Sequence, residues 1–198
     1  ILCERSGVVN IAIEGMMLMG AMMGALVGSV TDNLWMGMLA GVLSAALLGL
    51  VHGVLSIKYA TNQIISGTAI NIFAIGMTSY ISAKFMQPFQ TVLNNPGVFP
   101  PIEIPVLSEI PIIGPILFNQ NIFFYGMFIL LFVIHYALYY TRWGLRTRSV
   151  GEHPRAADTL GINVFRTRYL AVLLGSMVAG FGGAYFTIGS VCGFDEVM

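Results

Sequence analysis

Amide, hydroxyl and carboxyl side chains standing among apolar ones are the residues of this sequence best placed to do chemistry. Asn10 and Glu14 are four apart, on one face of a helix, just ahead of an apolar, glycine-rich stretch. A second group, Thr61, Asn62, Gln63, Ser66, Thr68 and Asn71, opens a later apolar stretch. Asn62, Ser66 and Asn71 cannot all face lipid without leaving amide or hydroxyl groups unpaired. An ionised Glu14 at membrane depth would cost about 3 kcal/mol on insertion scales. Amides donate and accept at once, so these groups suit a path for an uncharged, hydroxyl-rich solute. They equally suit helix-to-helix hydrogen bonding near an interface. Residue types and spacing leave both readings open.

Several other chemistries are excluded. Cys3 and Cys192 are far apart and have no sulfur or histidine ligand nearby, so both read as free thiols. His52 and His135 are lone histidines on apolar faces, with no second ligand at i±3 or i±4, and read as packing residues rather than metal ligands. No His, Asp and Glu group has the spacing of a catalytic constellation. Neither lysine, Lys58 or Lys84, follows a glycine, so no phosphate-binding P-loop exists and the chain itself hydrolyses no ATP through one. No cofactor is implied, and a formal net charge of zero gives no sign of nucleic-acid binding.

The elements that must position these residues are membrane spans. Only 9% of the 198 residues are charged, 57% are hydrophobic and the mean hydropathy is +0.82. A soluble domain carries roughly 25% charged residues, so the expected fold class is all-α, a polytopic transmembrane bundle. Five apolar stretches cover residues 15–30, 34–57, 64–86, 122–140 and 169–191, and a span needs about 20 apolar residues. Six of the nine basic residues (Arg142, Arg146, Arg148, Arg155, Arg166 and Arg168) lie between the last two stretches. The connection at 87–121 has no Lys or Arg, and holds seven of the eight prolines. The excess of arginine makes 141–168 cytoplasmic and 87–121 external; Lys84, near an outer helix end, can snorkel to the interface. The prolines forbid a long helix in the outer loop, and its apolar run at 110–113 suits a surface lying on the membrane or the bundle.

Small residues recur every four positions, at Gly20, Gly24 and Gly28, at Gly37, Gly41, Ala45, Gly49 and Gly53, and at Gly175, Ala179 and Gly183. They let helices approach closely in lipid. The cytoplasmic connection has a grammar of its own: residues 151–161, from Gly151, Glu152, His153, Pro154, Arg155, Ala156 and Ala157 to Gly161, read as a short capped helix. Pro154 suits the first helical position and Gly161 the left-handed residue beyond the last turn. So short a helix is marginal in water, and needs contact with something else.

Residues 155–161 (Arg-Ala-Ala-Asp-Thr-Leu-Gly) resemble the Glu-Ala-Ala-x-x-x-Gly loop of importer permeases of the ATP-binding-cassette superfamily, with Arg155 in place of Glu. The longer string from Trp143 to Asn163 is similar to the branched-chain amino acid/ribose type of permease. The openings at 4–17 and 62–69 resemble its nucleoside and simple-sugar branch, departing at Ala12 where glycine is expected. The resemblance implies one transmembrane permease domain over 1–198, with 151–161 docking an ATPase. It implies an ABC ATPase subunit, a second permease subunit and an external solute-binding lipoprotein as partners, in a prokaryotic cell membrane. It further implies about three more spans after Met198 and one before Ile1. Asn10, Glu14, Asn62, Ser66 and Asn71 are then expected on the solute path. A secondary transporter or channel is the alternative; it would need ion-coupling carboxylates in several spans, and only Glu14 approaches that description.

Overall fold

Why the chain forms helices where it does follows from its caps. The computed structural model describes residues 1–103 and 118–195. Its elements are α1 (Leu2–Arg5), α2 (Ile13–Thr31), α3 (Leu34–Gly53), α4 (Gln63–Ile81), α5 (Gln90–Leu93), β1 (Ile102–Glu103), β2 (Asn119–Gln120), α6 (Ile122–Tyr140), α7 (Arg142–Glu152), α8 (Pro154–Thr159) and α9 (Val164–Ala184). Four of the long helices start at asparagine. The side-chain oxygens of Asn33, Asn62, Asn121 and Asn163 accept from backbone N–H groups of the first turns of α3, α4, α6 and α9, satisfying donors that no carbonyl of the helix can reach. α3, α4 and α9 then run on without a break through wider π turns, Val54–Lys58, Ser82–Met86 and Tyr185–Val191.

Five helices are long and apolar enough to cross a membrane: Ile13–Thr31, Leu34–Lys58, Gln63–Met86, Ile122–Tyr140 and Val164–Val191. The chain is a polytopic helical bundle, as its composition requires. Two boundaries differ from those expected. The fifth span begins at Val164, not at 169, because Asn163 caps it, so Arg166 and Arg168 stand on the helix rather than in the connection. The first begins at Ile13, so Asn10 is outside α2 and does not share a helical face with Glu14. The outer connection holds the four-residue α5 and a two-residue antiparallel pairing, Ile102 with Gln120 and Glu103 with Asn119. The apolar run at 110–113 lies outside the described residues.

The centre is α2, α3 and α9 packed backbone to backbone. A Cβ on Gly41 would stand 2.7 Å from the carbonyl oxygen of Gly20, and one on Gly37 2.6 Å from that of Gly24. On the other side of α2, a Cβ on Gly183 would strike the Met17 carbonyl. Small residues bring these helices together where lipid supplies no hydrophobic drive. Buried Met16, Ala45, Leu48, Ile70, Ala74 and Ala179 fill one cluster of this core. α6 is different: only Phe123 and Leu138 are buried. Phe123 anchors it by ring contacts to Phe99 (5.6 Å) and Phe181 (4.9 Å). The Asn121 amide adds bonds to the carbonyls of Phe99 (3.2 Å) and Gly189 (2.8 Å).

Overpacking a close helix contact costs about 1–3 kcal/mol. Gly41→Ile should therefore lower the thermal unfolding temperature of the detergent-solubilised protein clearly. Gly76→Ile, where a new Cβ meets nothing within 4 Å, should leave it near the parent value. Equal effects of the two would contradict the packing described.

Candidate functional site

The polar residues singled out by sequence gather at the arginine-rich end of the bundle, around a backbone segment that is not helical. After α1 the chain turns through Gly7 (φ +78°) and reaches α2 only at Ile13. Backbone outside a helix or sheet needs other partners for its N–H and C=O groups, and here side chains supply several of them. Val9 has both groups held: its N–H donates to Gln63 Oε1 (2.7 Å), and its carbonyl lies 3.2 Å from His52 Nε2. His52 Nδ1 is 3.2 Å from Ser66 Oγ. Since a carbonyl only accepts, the Val9 contact puts a proton on Nε2. In the neutral ring, Nδ1 then accepts from the Ser66 hydroxyl. Asn71 makes a two-point clamp: its Nδ2 donates to the Ile11 carbonyl (3.1 Å) and its Oδ1 accepts from Gly15 N–H (2.9 Å).

Each of the five solute-path candidates therefore has a definite place. Asn10 is buried, its Oδ1 accepting from Ala12 N–H (3.0 Å), and it borders a cavity of about 450 Å³ with Cys3, Ile13 and Met17. Ser66 is buried against His52, and Asn62 is exposed, with its oxygen committed to the Ile64 N–H of α4 (2.9 Å). Glu14 is exposed in the first turn of α2. The structure brings Ser66, Asn71 and the segment around Asn10 together, while Asn62 stands at the rim. His52 and Gln63, which were not among the candidates, complete the network. A larger cavity of about 760 Å³ lies between α6 and α9, lined by Phe123, Met127, Leu131, Ile134, Phe181 and Tyr185 among others. None of the five polar candidates borders it. Among the described residues no three His, Cys, Asp or Glu side chains are grouped to hold a metal ion.

The second candidate region, 151–161, is two helices rather than one. Gly151 and Glu152 finish α7, which no sequence signal had marked, and α8 begins at Pro154 because proline disfavours a helical residue before it; His153 sits at φ −138°, ψ 81°. The end of α8 is as expected. Gly161 has φ +77°, its N–H bonds the Asp158 carbonyl (2.9 Å), and the Ile162 N–H bonds that of Ala157 (3.1 Å), a Schellman arrangement. Ala157 is buried within the chain, whereas Arg155, Ala156 and Leu160 face outward, Leu160 at 80% exposure. Gly151 is a contact glycine: a Cβ there would collide with the Arg5 carbonyl.

A family model described as branched-chain amino acid transport system / permease component matches residues 1–193. The chain belongs to this family. Among curated members of the permease family, it is 38% identical over 190 residues to the guanosine ABC transporter permease protein NupQ of Bacillus subtilis, covering 92% of this chain and 59% of that one. It is 37% identical over 191 residues to the nucleoside ABC transporter permease protein NupC of Lactococcus lactis, with the same coverage. It is also 35% identical over 188 residues to a putative glucose ABC transporter permease protein of Haloferax volcanii, covering 95% and 56%. The chain thus spans less than two thirds of the length of these permeases. No solved structure matches it.

Asn71→Leu would leave the part-buried Gly15 N–H without its partner, at about 1–3 kcal/mol, and would release the Ile11 carbonyl to water. Asn62→Leu removes one helix cap, worth about 1 kcal/mol. Thermal unfolding in detergent should rank Asn71→Leu as the more destabilised; the reverse order would deny the clamp.

Proposed function

We propose that this chain is the membrane-spanning permease subunit of an ATP-binding-cassette importer for nucleosides or simple sugars, in a prokaryotic cell membrane. The observation that carries the reading is the match of nearly the whole chain to permeases named for guanosine, nucleoside and glucose transport. In this reading Asn10, Ser66 and Asn71, with Asn62 at the rim and the exposed Glu14 in the first turn of α2, border the solute path. The partners are an ATPase subunit, a second permease subunit and an external solute-binding lipoprotein. Residues 141–168 are cytoplasmic, following the arginine excess.

The ATPase docks on α7 and α8. A six-residue helix cannot persist unaided, and three features of α8 favour an outside partner. Leu160 is an apolar side chain held in water, Ala156 leaves room for close approach, and Arg155 can pair bidentately with a carboxylate. Work done by ATP can shift the permease only through contacts that differ between its states, and this end of the bundle offers them.

The reading is tested with the full-length chain, the ATPase and the solute-binding protein together in proteoliposomes. ATP-dependent uptake of labelled guanosine, adenosine or glucose is expected, and its absence with every nucleoside and simple sugar would overturn the proposal. Leu160→Asp should cut solute-stimulated ATP hydrolysis about tenfold or more, a loss of about 1.4 kcal/mol in docking. Gly161→Val, at about 1–2 kcal/mol for a Cβ in the left-handed region, should do so in part. Full stimulation in both variants would leave α8 without the role given to it.

A further inference from the structure

Residues 8–12 combine features that the hydrogen bonds alone do not explain. Their burial alternates as in a strand: Val8, Asn10 and Ala12 point inward, whereas Val9 and Ile11 are 46% and 41% exposed. No strand lies beside them among the described residues; Gln63, His52 and Asn71 supply the partners that a neighbouring strand would. Exposed apolar Ile13, Ile64 and Ile65 belong to the same segments, and the polar groups among them are what bear on the surroundings of Val9 and Ile11. Glu14, Asn62 and Thr68 nearby are exposed, and the bonds from Gln63 to Val9 and from Asn71 to Ile11 are themselves open to solvent. Lipid tolerates neither an ionisable carboxyl nor open backbone amides. A water-filled passage does.

The other end of the segment is fastened to the lever that α7 would provide. Gly151 packs so closely on Arg5 and Gly7 that no Cβ fits, and Arg168 Nε donates to the Ser6 carbonyl at 3.2 Å. One residue, His153, separates α7 from α8. A displacement of α7 is therefore passed through Arg5 and Gly7 into residues 8–12, whose far end continues into α2.

We propose that residues 8–12 are the gate of the solute path at the arginine-rich end, with Val9 and Ile11 as its closing side chains and α7 as its lever. The proposal rests on the importer reading above. Two apolar side chains on a path close it by excluding water and need no large movement. His52 and Gln63 are positioning residues: they fix the backbone of Val9 and touch no solute.

The test uses the complete transporter, full-length chain with its ATPase and solute-binding partners, carrying Cys192→Ser. Cys3 stays, because burial pushes its thiol pKa up and leaves it slow to react. Val9→Cys and Ile11→Cys are each exposed to a charged methanethiosulfonate, in the nucleotide-free and in the vanadate-trapped state. Labelling rates should differ about tenfold between the states, as expected when a path shifts from mostly open to mostly closed, and labelling should block uptake. Gln63→Leu should bring the two rates together, whereas Gln63→Glu, which keeps an acceptor for the Val9 N–H, should preserve the difference. Equal rates in both states at both positions, in a transporter that still takes up solute, would overturn the gate and spare the importer reading. Failure of either cysteine to react in any state would also overturn it, showing a face covered by protein. Loss of ATP-driven uptake in the unsubstituted transporter would instead remove the importer reading, and the gate with it.

Discussion

A backbone that stops being helical beside a helix bundle needs partners for the N–H and C=O groups it exposes, and between Gly7 and Ile13 side chains supply several of them. Gln63 and His52 hold Val9, Asn71 holds Ile11 and Gly15, and Asn10 holds Ala12. An unpaired backbone group away from water costs several kcal/mol, and the partners for this segment come from His52 of α3 and Gln63 and Asn71 of α4. This need accounts for Gln63 and Asn71 among the polar residues of α4, whereas Asn62 and Thr68 bond their own helix. It also explains why Gly67 faces this segment, where a Cβ would stand 3.1 Å from that of Ile11.

The same residues show where sequence reading succeeds and where it stops. Five spans were legible because lipid demands long, nearly uninterrupted apolar runs, and nothing else in the chain imitates them. Pro154 and Gly161 were legible because backbone geometry restricts those residues on its own. Asn62 and Asn71 were not separable: both are asparagines at the start of one span, yet one caps its own helix and the other clamps a segment some 60 positions earlier in the chain. Composition carries no information about that difference. The placement of Asn10 had a signal that went unused: the β-branched residues Val9, Ile11 and Ile13 recur with period two, the mark of a strand-like segment rather than of the helical face shared with Glu14. α7 offered no apolar run at all. Its Gly144 and Gly151 stand where the chain packs on itself, with a Cβ at Gly144 meeting the Leu138 carbonyl and one at Gly151 the Arg5 carbonyl, contacts that no sequence pattern announces.

The two kinds of contact in this bundle differ in how they yield. Between α2, α3 and α9 the helices meet through glycine with main-chain atoms touching, so sliding one past another brings a carbonyl into a backbone at once. Close-packed interfaces of this kind have few intermediate arrangements. Within residues 8–12, Val8 and Ala12 are packed in the core and Ile11 lies against Gly67, but the bonds from Gln63 to Val9 and from Asn71 to Ile11 are open to water that can replace a lost partner. A force applied at the arginine-rich end would be resisted by the glycine-packed core and taken up by this segment. In the coupling proposed above α7 would apply it, since the Arg5 carbonyl cannot stay where it is if that helix moves inward. The glycine contacts among α2, α3 and α9 thus make the fixed frame, and the water-exposed amide bonds to Val9 and Ile11 are the contacts most readily exchanged.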